Sequence, residues 1–217
     1  MTPLPYELVI FDCDGVLVDS ERITNRVFAA MLNDIGLAVT LDDMFDRFVG
    51  RSMDQCLEII SSLLGRDVPP GFVAEYRARS SAALLSEVKP VPGIEAALDA
   101  LGLPYCVASN GTLEKMQTTL GITGLWPRFE GSIFSVDDVE RGKPFPDLYL
   151  LAASRYGVAP ARCAVIEDTP TGVTAGIAAG MAVYGYCALT PSRRLKEAGA
   201  QFTFASMQDL AGLLRRN

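Results

Sequence analysis

Short runs of consecutive apolar residues recur along the chain, each followed by a polar turn and then a stretch with helical spacing. The runs are LVIFD (8–12), YCVAS (105–109), GSIFS (131–135), CAVIE (163–167), MAVYGY (181–186) and FTF (202–204). None alternates cleanly between polar and apolar positions, so they predict strands covered on both faces. Between them lie helical stretches such as GIEAALDALG, DLYLLAASRYG and TGVTAGIAAG. Strands alternating with helices of this length predict an α/β fold, a mostly parallel sheet joined by right-handed crossovers and flanked by helices.

One region breaks that rhythm. Residues 20–88 contain no convincing strand and show helical periodicity instead, first as Ile23, Val27, Met31 and Ile35. A second stripe is Met53, Cys56, Leu57, Ile60, Leu63 and Leu64, and a weaker helix is expected from about Phe72 to Leu85, ahead of Pro90 and Pro92. The spacing predicts a helical domain over 20–88 inserted after the first strand, with 1–19 and 89–217 forming the sheet domain. An insertion there is expected above the carboxyl edge of the sheet, where open α/β sheets bind ligands. It is placed as a cap.

Composition narrows the chemistry. The chain has 217 residues, 49% of them hydrophobic, which is enough for a substantial core. A formal charge of −7 argues against nucleic acid and anionic membranes as partners. Neither a signal-peptide pattern nor a membrane-length apolar run is present, and the five cysteines are scattered without a CxxC pair. A cytoplasmic protein with reduced thiols is expected, as a monomer or small homo-oligomer. The sequence contains no histidine, which removes Ser-His-Asp triads, histidine general bases and His-ligated zinc together.

The remaining candidates for chemistry are carboxylates at strand ends. Asp12 and Asp14 follow the first apolar run two residues apart, so in an extended segment they project the same way, and Gly15 permits a sharp turn beneath them. A second acidic pair, Glu167 and Asp168, ends CAVIE. Neighbouring carboxylates repel unless a proton or cation stands between them, and Mg²⁺ takes hard oxygen ligands of this kind. Ser109 and Asn110 end another strand just before a helix, where a hydroxyl, an amide and unpaired N–H groups suit an anion. Lys143, held before a proline in RGKPFPD, supplies a point charge suited to phosphate. Carboxylates, a metal, and neutral and cationic phosphate clamps together point to phosphoryl transfer.

These four segments resemble the four motifs of the haloacid dehalogenase superfamily, in order and over essentially the whole chain. They are DCDGVLVDS (12–20), Ser109 with Asn110, Lys143 in KPFPD, and Glu167-Asp168 before TPTG. The resemblance implies a Rossmann-like core with an α-helical cap. It also implies that Asp12 attacks phosphorus to form an aspartyl-phosphate, while Asp14 protonates the leaving alkoxide and then deprotonates water. Mg²⁺ would bind the Asp12 carboxylate, the Asp14 carbonyl and Asp168, with Glu167 as a further ligand or one step behind. Ser109, Asn110 and Lys143 would hold the phosphoryl group. Dehalogenases of the superfamily lack the acid two residues after the nucleophile, so Asp14 points to phosphate esters.

The helical insertion and the DSE run look like the branch containing β-phosphoglucomutase, phosphoglycolate phosphatase and small sugar-phosphate phosphatases. Members of that branch, mutases among them, often carry a histidine where this chain has Thr24, which favours hydrolysis over mutase chemistry. Cys13, SNGTLEKMQ (109–117) and GYCA (185–188) are similar to phosphatases of sugar-acid phosphates, 6-phosphogluconate among them. Arg51, in the loop FVGRSMDQ, would then answer a substrate carboxylate. The expected partner is a small phosphate ester. The alternatives are a mutase of the β-phosphoglucomutase type and a catalytically inactive binding module on the same fold, the latter disfavoured because nucleophile, acid and metal ligands all stand.

Overall fold

The apolar run after the N-terminus is strand β1 (Leu8–Phe11), all four residues of which are buried. The computed structural model describes residues 5–48, 51 and 53–216, and in it β1 lies inside a parallel sheet. The other strands are β2 (Tyr105–Ser109), β3 (Ile133–Ser135), β4 (Cys163–Glu167), β5 (Ala182–Tyr186) and β6 (Phe202–Phe204). Their order is β3-β2-β1-β4-β5-β6, and every neighbouring pair among the described residues is parallel. The α/β fold expected from the alternation of runs is therefore the observed one.

Burial on both faces explains why the strands read as unbroken apolar runs. On one side of the sheet, Leu8 and Ile10 pack in a cluster with Val165, Val183, Leu148 and Tyr149. Val9 and Phe11 point the other way and are equally inaccessible.

The chain builds outward from β1 through β2 and β3, then returns to the other side of β1 for β4, β5 and β6. That reversal makes the carboxyl ends of β1 and β4 the topological switch point, the place where open parallel sheets hold ligands.

The residues up to Asp19, together with those from Lys89 onward, form one compact unit, and Ser20–Val88 form a second. In the second unit the helices are α1 (Ser20–Asp34), α2 (Leu41–Arg47), α3 (Met53–Leu64) and α4 (Phe72–Glu87). Their core contains Phe28, Met31, Leu32, Met44, Ile60 and Phe72. Of the expected α1 stripe, Ile23 and Met31 are buried and Val27 and Ile35 pack partly buried against the core, which Phe28 and Leu32 join. Steps of four residues drift about 40° each around a helix of 3.6 residues per turn, so the buried face takes in Phe28 and Leu32 between the stripe's positions. Leu63 also proves exposed.

In the first unit the helices are α5 (Ile94–Ala100), α6 (Leu113–Ile122), α7 (Trp126–Phe129), α8 (Asp147–Tyr156) and α9 (Pro170–Ala178). They are followed by α10 (Ser192–Glu197) and α11 (Leu210–Arg216). Among the described residues no helix is long and apolar enough to cross a membrane.

Candidate active site

Asp12 follows β1 directly, and its N–H donates to the Ile166 carbonyl of β4 at 2.9 Å, which fixes it at the switch point. Two residues on, Asp14 precedes Gly15, whose φ of 79° is the left-handed conformation a bulkier residue resists. Gly15 N–H closes that turn onto the Val18 carbonyl at 2.8 Å. Where the chain leaves and re-enters this unit, Asp19 N–H donates to the Lys89 carbonyl at 2.9 Å.

Lys143 reaches the same point from the segment before α8. Its ammonium is buried and stands 2.5 Å from Asp12 Oδ1 and 2.8 Å from Glu167 Oε1. Asn110 braces it from β2: its side-chain oxygen accepts from Lys143 N–H at 2.8 Å, and its amide donates to the Lys143 carbonyl at 3.0 Å. The amide expected to face a phosphate is thus engaged with the lysine backbone. Ser109 is buried at the end of β2, and its Oγ accepts from Gly111 N–H at 3.1 Å.

Glu167 is held on both oxygens. Oε1 accepts from Lys143 and from the Tyr149 hydroxyl at 3.1 Å, while Oε2 accepts from Thr169 N–H and Thr169 Oγ1 at 2.9 Å each. Of the two expected places for Glu167, a further metal ligand or one step behind the metal, these bonds favour the second, because its lone pairs already serve the lysine, Tyr149 and the start of α9. Gly172 in α9 makes room for it: a Cβ there would lie 1.6 Å from Glu167 Oε1. Gly172→Ala is therefore expected to cost about 2–3 kcal/mol of stability, measured by urea unfolding. Wild-type stability in that variant would mean the carboxylate is not fixed by its four bonds.

The charges do not balance. Asp12, Glu167 and Asp168 are buried, and Lys143 is the only buried lysine or arginine among the described residues. Burial pushes the Asp12 carboxyl from 3.8 up to about 7, with Glu167 and Asp14 acting in the same direction against Lys143. For Lys143, burial acts downward, but Asp12 and Glu167 outweigh it and hold the ammonium well above its ordinary value. Lys143 keeps its proton, and the site holds an excess of buried carboxyl groups over buried cations.

That excess of hard oxygen donors fits a divalent cation. No three acidic or thiol side chains among the described residues converge as a ready-made metal cluster. Mg²⁺ does not require one, since it commonly keeps waters and takes one or two carboxylates plus phosphate oxygens.

Three further residues belong to the site, Thr169 among them from the TPTG segment after Glu167-Asp168. Lys115 Nζ lies 2.6 Å from Asp14 Oδ2, although the two are far apart in sequence. A signal for it exists, since Lys115 sits in the first turn of α6, where the helix dipole disfavours a cation without an anion nearby. Tyr149 and Thr169 complete the shell of Glu167. Tyr149 carries a hydroxyl inside an otherwise apolar helix face, which only a buried acceptor makes tolerable.

Arg51 belongs to the helical unit, where its Nε donates to the Arg47 carbonyl at 2.7 Å. With Glu21, Thr24, Asn25 and Tyr76 it lines a pocket of about 160 Å³ within that unit. Thr24 Oγ1 donates back along α1 to the Ser20 and Glu21 carbonyls at 3.1 and 3.3 Å.

Residues 6–180 match the family model of haloacid dehalogenase-like hydrolases. The 6-phosphogluconate phosphatase of Escherichia coli is 36% identical over 84% of this chain and 83% of its own length. Hexitol phosphatase A of the same organism is 32% identical over 87% of this chain and 86% of its own. Among solved structures, a haloacid dehalogenase family hydrolase of Deinococcus radiodurans, with bound phosphate and sodium, superposes with a TM-score of 0.82. It is 33% identical and covers 97% of this chain and 98% of its own.

Proposed function

The chain belongs to the haloacid dehalogenase-like hydrolases, and from that premise we propose that it is a Mg²⁺-dependent phosphatase of phosphorylated sugar acids that works through an aspartyl-phosphate. The observation that carries the reading is the buried Asp12–Lys143–Glu167 triad at the switch point, with a second carboxyl, Asp14, two residues beyond the first.

Asp12 Oδ attacks phosphorus and the ester P–O bond breaks. The departing oxygen keeps the bonding pair and takes a proton from Asp14. Asp14, now a carboxylate, removes a proton from the water that attacks the aspartyl-phosphate, releasing inorganic phosphate and restoring both carboxyls. Ser109 Oγ and Lys143 Nζ hold the phosphoryl oxygens, where negative charge is best met by donors already fixed in place. Asn110 and Glu167 keep Lys143 there. The Asp12 and Asp168 carboxylates and the Asp14 carbonyl would hold Mg²⁺, which when bound offsets the site's negative charge and that of the phosphoryl group.

The choice of substrate rests on the 6-phosphogluconate phosphatase relative and on Arg51 in the helical unit's pocket, a guanidinium suited to a sugar-acid carboxylate. The helical unit serves as the cap. Thr24 carries no imidazole and its hydroxyl bonds back along its own helix, so it offers no acid–base group to a mutase cycle.

The test is phosphate release from 6-phosphogluconate, phosphoglycolate, hexitol phosphates and neutral hexose phosphates, with Mg²⁺ and with EDTA, for wild type and Arg51→Ala. Turnover that needs Mg²⁺ and prefers 6-phosphogluconate is expected, with the preference lost in the variant. Equal turnover of the neutral esters overturns the sugar-acid assignment. Isomerisation of β-glucose 1-phosphate, given its bisphosphate activator, without net hydrolysis would make the protein a mutase.

A further inference from the structure

Tyr149 is fully buried in the sheet unit, on the α8 face that packs with Leu8, Ile10 and Val165. A phenylalanine would fill that place without a hydroxyl to satisfy. The hydroxyl donates to Glu167 Oε1 at 3.1 Å, the same oxygen that accepts from Lys143 Nζ at 2.8 Å. The ring of Tyr149 also lies beside Lys143, its centroid 4.8 Å from Nζ, within the range where an aromatic face attracts an ammonium. One side chain therefore touches the lysine and the carboxylate that competes for it.

We propose that Tyr149 is a positioning residue: its hydroxyl satisfies part of Glu167 and its ring flanks Lys143, so that the ammonium stays beside Asp12, turned to the oxygens of an incoming phosphoryl group. The role rests on the phosphatase reading above. Lys143 is shared between two carboxylates, and where it stands depends on how strongly each draws it. With the phenol in place, Glu167 Oε1 receives two donors and its pull on the ammonium is moderated. Without the phenol, Lys143 is the sole remaining donor to that oxygen among the described hydrogen bonds. The ammonium then shifts towards Glu167 and away from the transferring oxygens. The loss falls on the transition state, where the phosphoryl oxygens carry most charge, more than on substrate binding.

Tyr149→Phe keeps the ring and the packing and removes only the hydroxyl. Full-length protein with Mg²⁺ is measured for kcat, KM, orthovanadate inhibition and melting temperature. The expected result is a kcat lowered by about tenfold, in line with one hydrogen bond to a charged group. The vanadate inhibition constant should rise by a similar factor, since vanadate adopts the five-coordinate geometry of the transition state, while KM changes by less than about threefold. A hydroxyl that matters only for folding would lower the melting temperature and leave kcat and vanadate affinity alone. Values of both within about twofold of wild type, whatever the melting temperature, overturn the proposal. A wild-type protein that neither releases phosphate nor binds vanadate removes the phosphatase reading and this role with it. An active wild type with an indifferent Tyr149→Phe variant removes only the role of Tyr149.

Discussion

Asp12→Asn is expected to abolish Mg²⁺-dependent phosphate release, by on the order of 10⁴-fold or more, while the fold persists. An amide is nearly the same size and still fits the end of β1, where the backbone bond to Ile166 is untouched. What disappears is the carboxylate proposed as nucleophile and as one of the ligands of a cation. The same substitution has a second, opposite consequence for stability. In the metal-free protein the Asp12 carboxyl is raised from 3.8 to about 7, chiefly by burial. A carboxyl whose folded value lies above its unfolded value contributes stability that is fully present below pH 3.8 and is lost as pH rises through about 7. Asparagine cannot ionise. Metal-free wild type should therefore lose stability relative to Asp12→Asn across that window, and Mg²⁺ should restore it by binding the folded state. Chemical denaturation at pH 5 and pH 8, with Mg²⁺ and with EDTA, reads both signs. Turnover in the variant at a tenth of wild type would remove Asp12 as nucleophile, and a pH-independent difference between the two proteins would remove the buried-charge argument.

The sheet was legible because burial on both faces leaves its signature in unbroken apolar runs, and the register then does the rest. Phe11 pairs with Val107 and with Ile166, so the residues just past these strands must meet at one edge. That is why Asp12, Ser109 and Glu167 could be grouped from sequence without coordinates. The helical unit was less legible. A seven-residue helix such as α2 shows too few turns for periodicity, and its start is set by the Thr40–Asp43 capping box instead. The α1 stripe was incomplete because a four-residue spacing rotates slowly around the helix and passes over Phe28 and Leu32.

Within the site, chemistry could be read but partnership could not. The motifs supply an acidic residue at 167 and a lysine at 143, yet whether Glu167 faces an ion or that lysine depends on which donors reach each oxygen. Tyr149 and Thr169 supply such donors and Gly172 leaves room for the carboxylate; Thr169 and Gly172 stand in the TPTG segment after the acidic pair, while Tyr149 looks ordinary in sequence. Lys115 was hidden for a similar reason. Its ion pair with Asp14 joins the first turn of α6 to the turn after β1, two segments that become neighbours only once β2 pairs with β1.

Lys143→Met separates the charge of this lysine from its bulk, and the expected losses are large in both activity and stability. Methionine fills the same channel but offers no donor, so the transferring phosphoryl oxygens lose a fixed cation and turnover falls on the order of 10³-fold. Stability falls as well, by about 3–5 kcal/mol at neutral pH, because Asp12 and Glu167 remain buried without their shared counter-ion. Lys143 is what lowers the Asp12 carboxyl against burial, so its removal raises that group further. The sign follows as before: the deficit is greatest where the carboxyl would have to ionise and shrinks as acid protonates it. A second substitution distinguishes charge from packing. In Lys143→Met with Glu167→Gln, the repulsion between Asp12 and Glu167 is gone, so stability should recover in large part while turnover does not. Recovery of neither would mean that the lysine stem, rather than its charge, holds this corner of the sheet together. Recovery of turnover would mean that phosphate is held by some other cation.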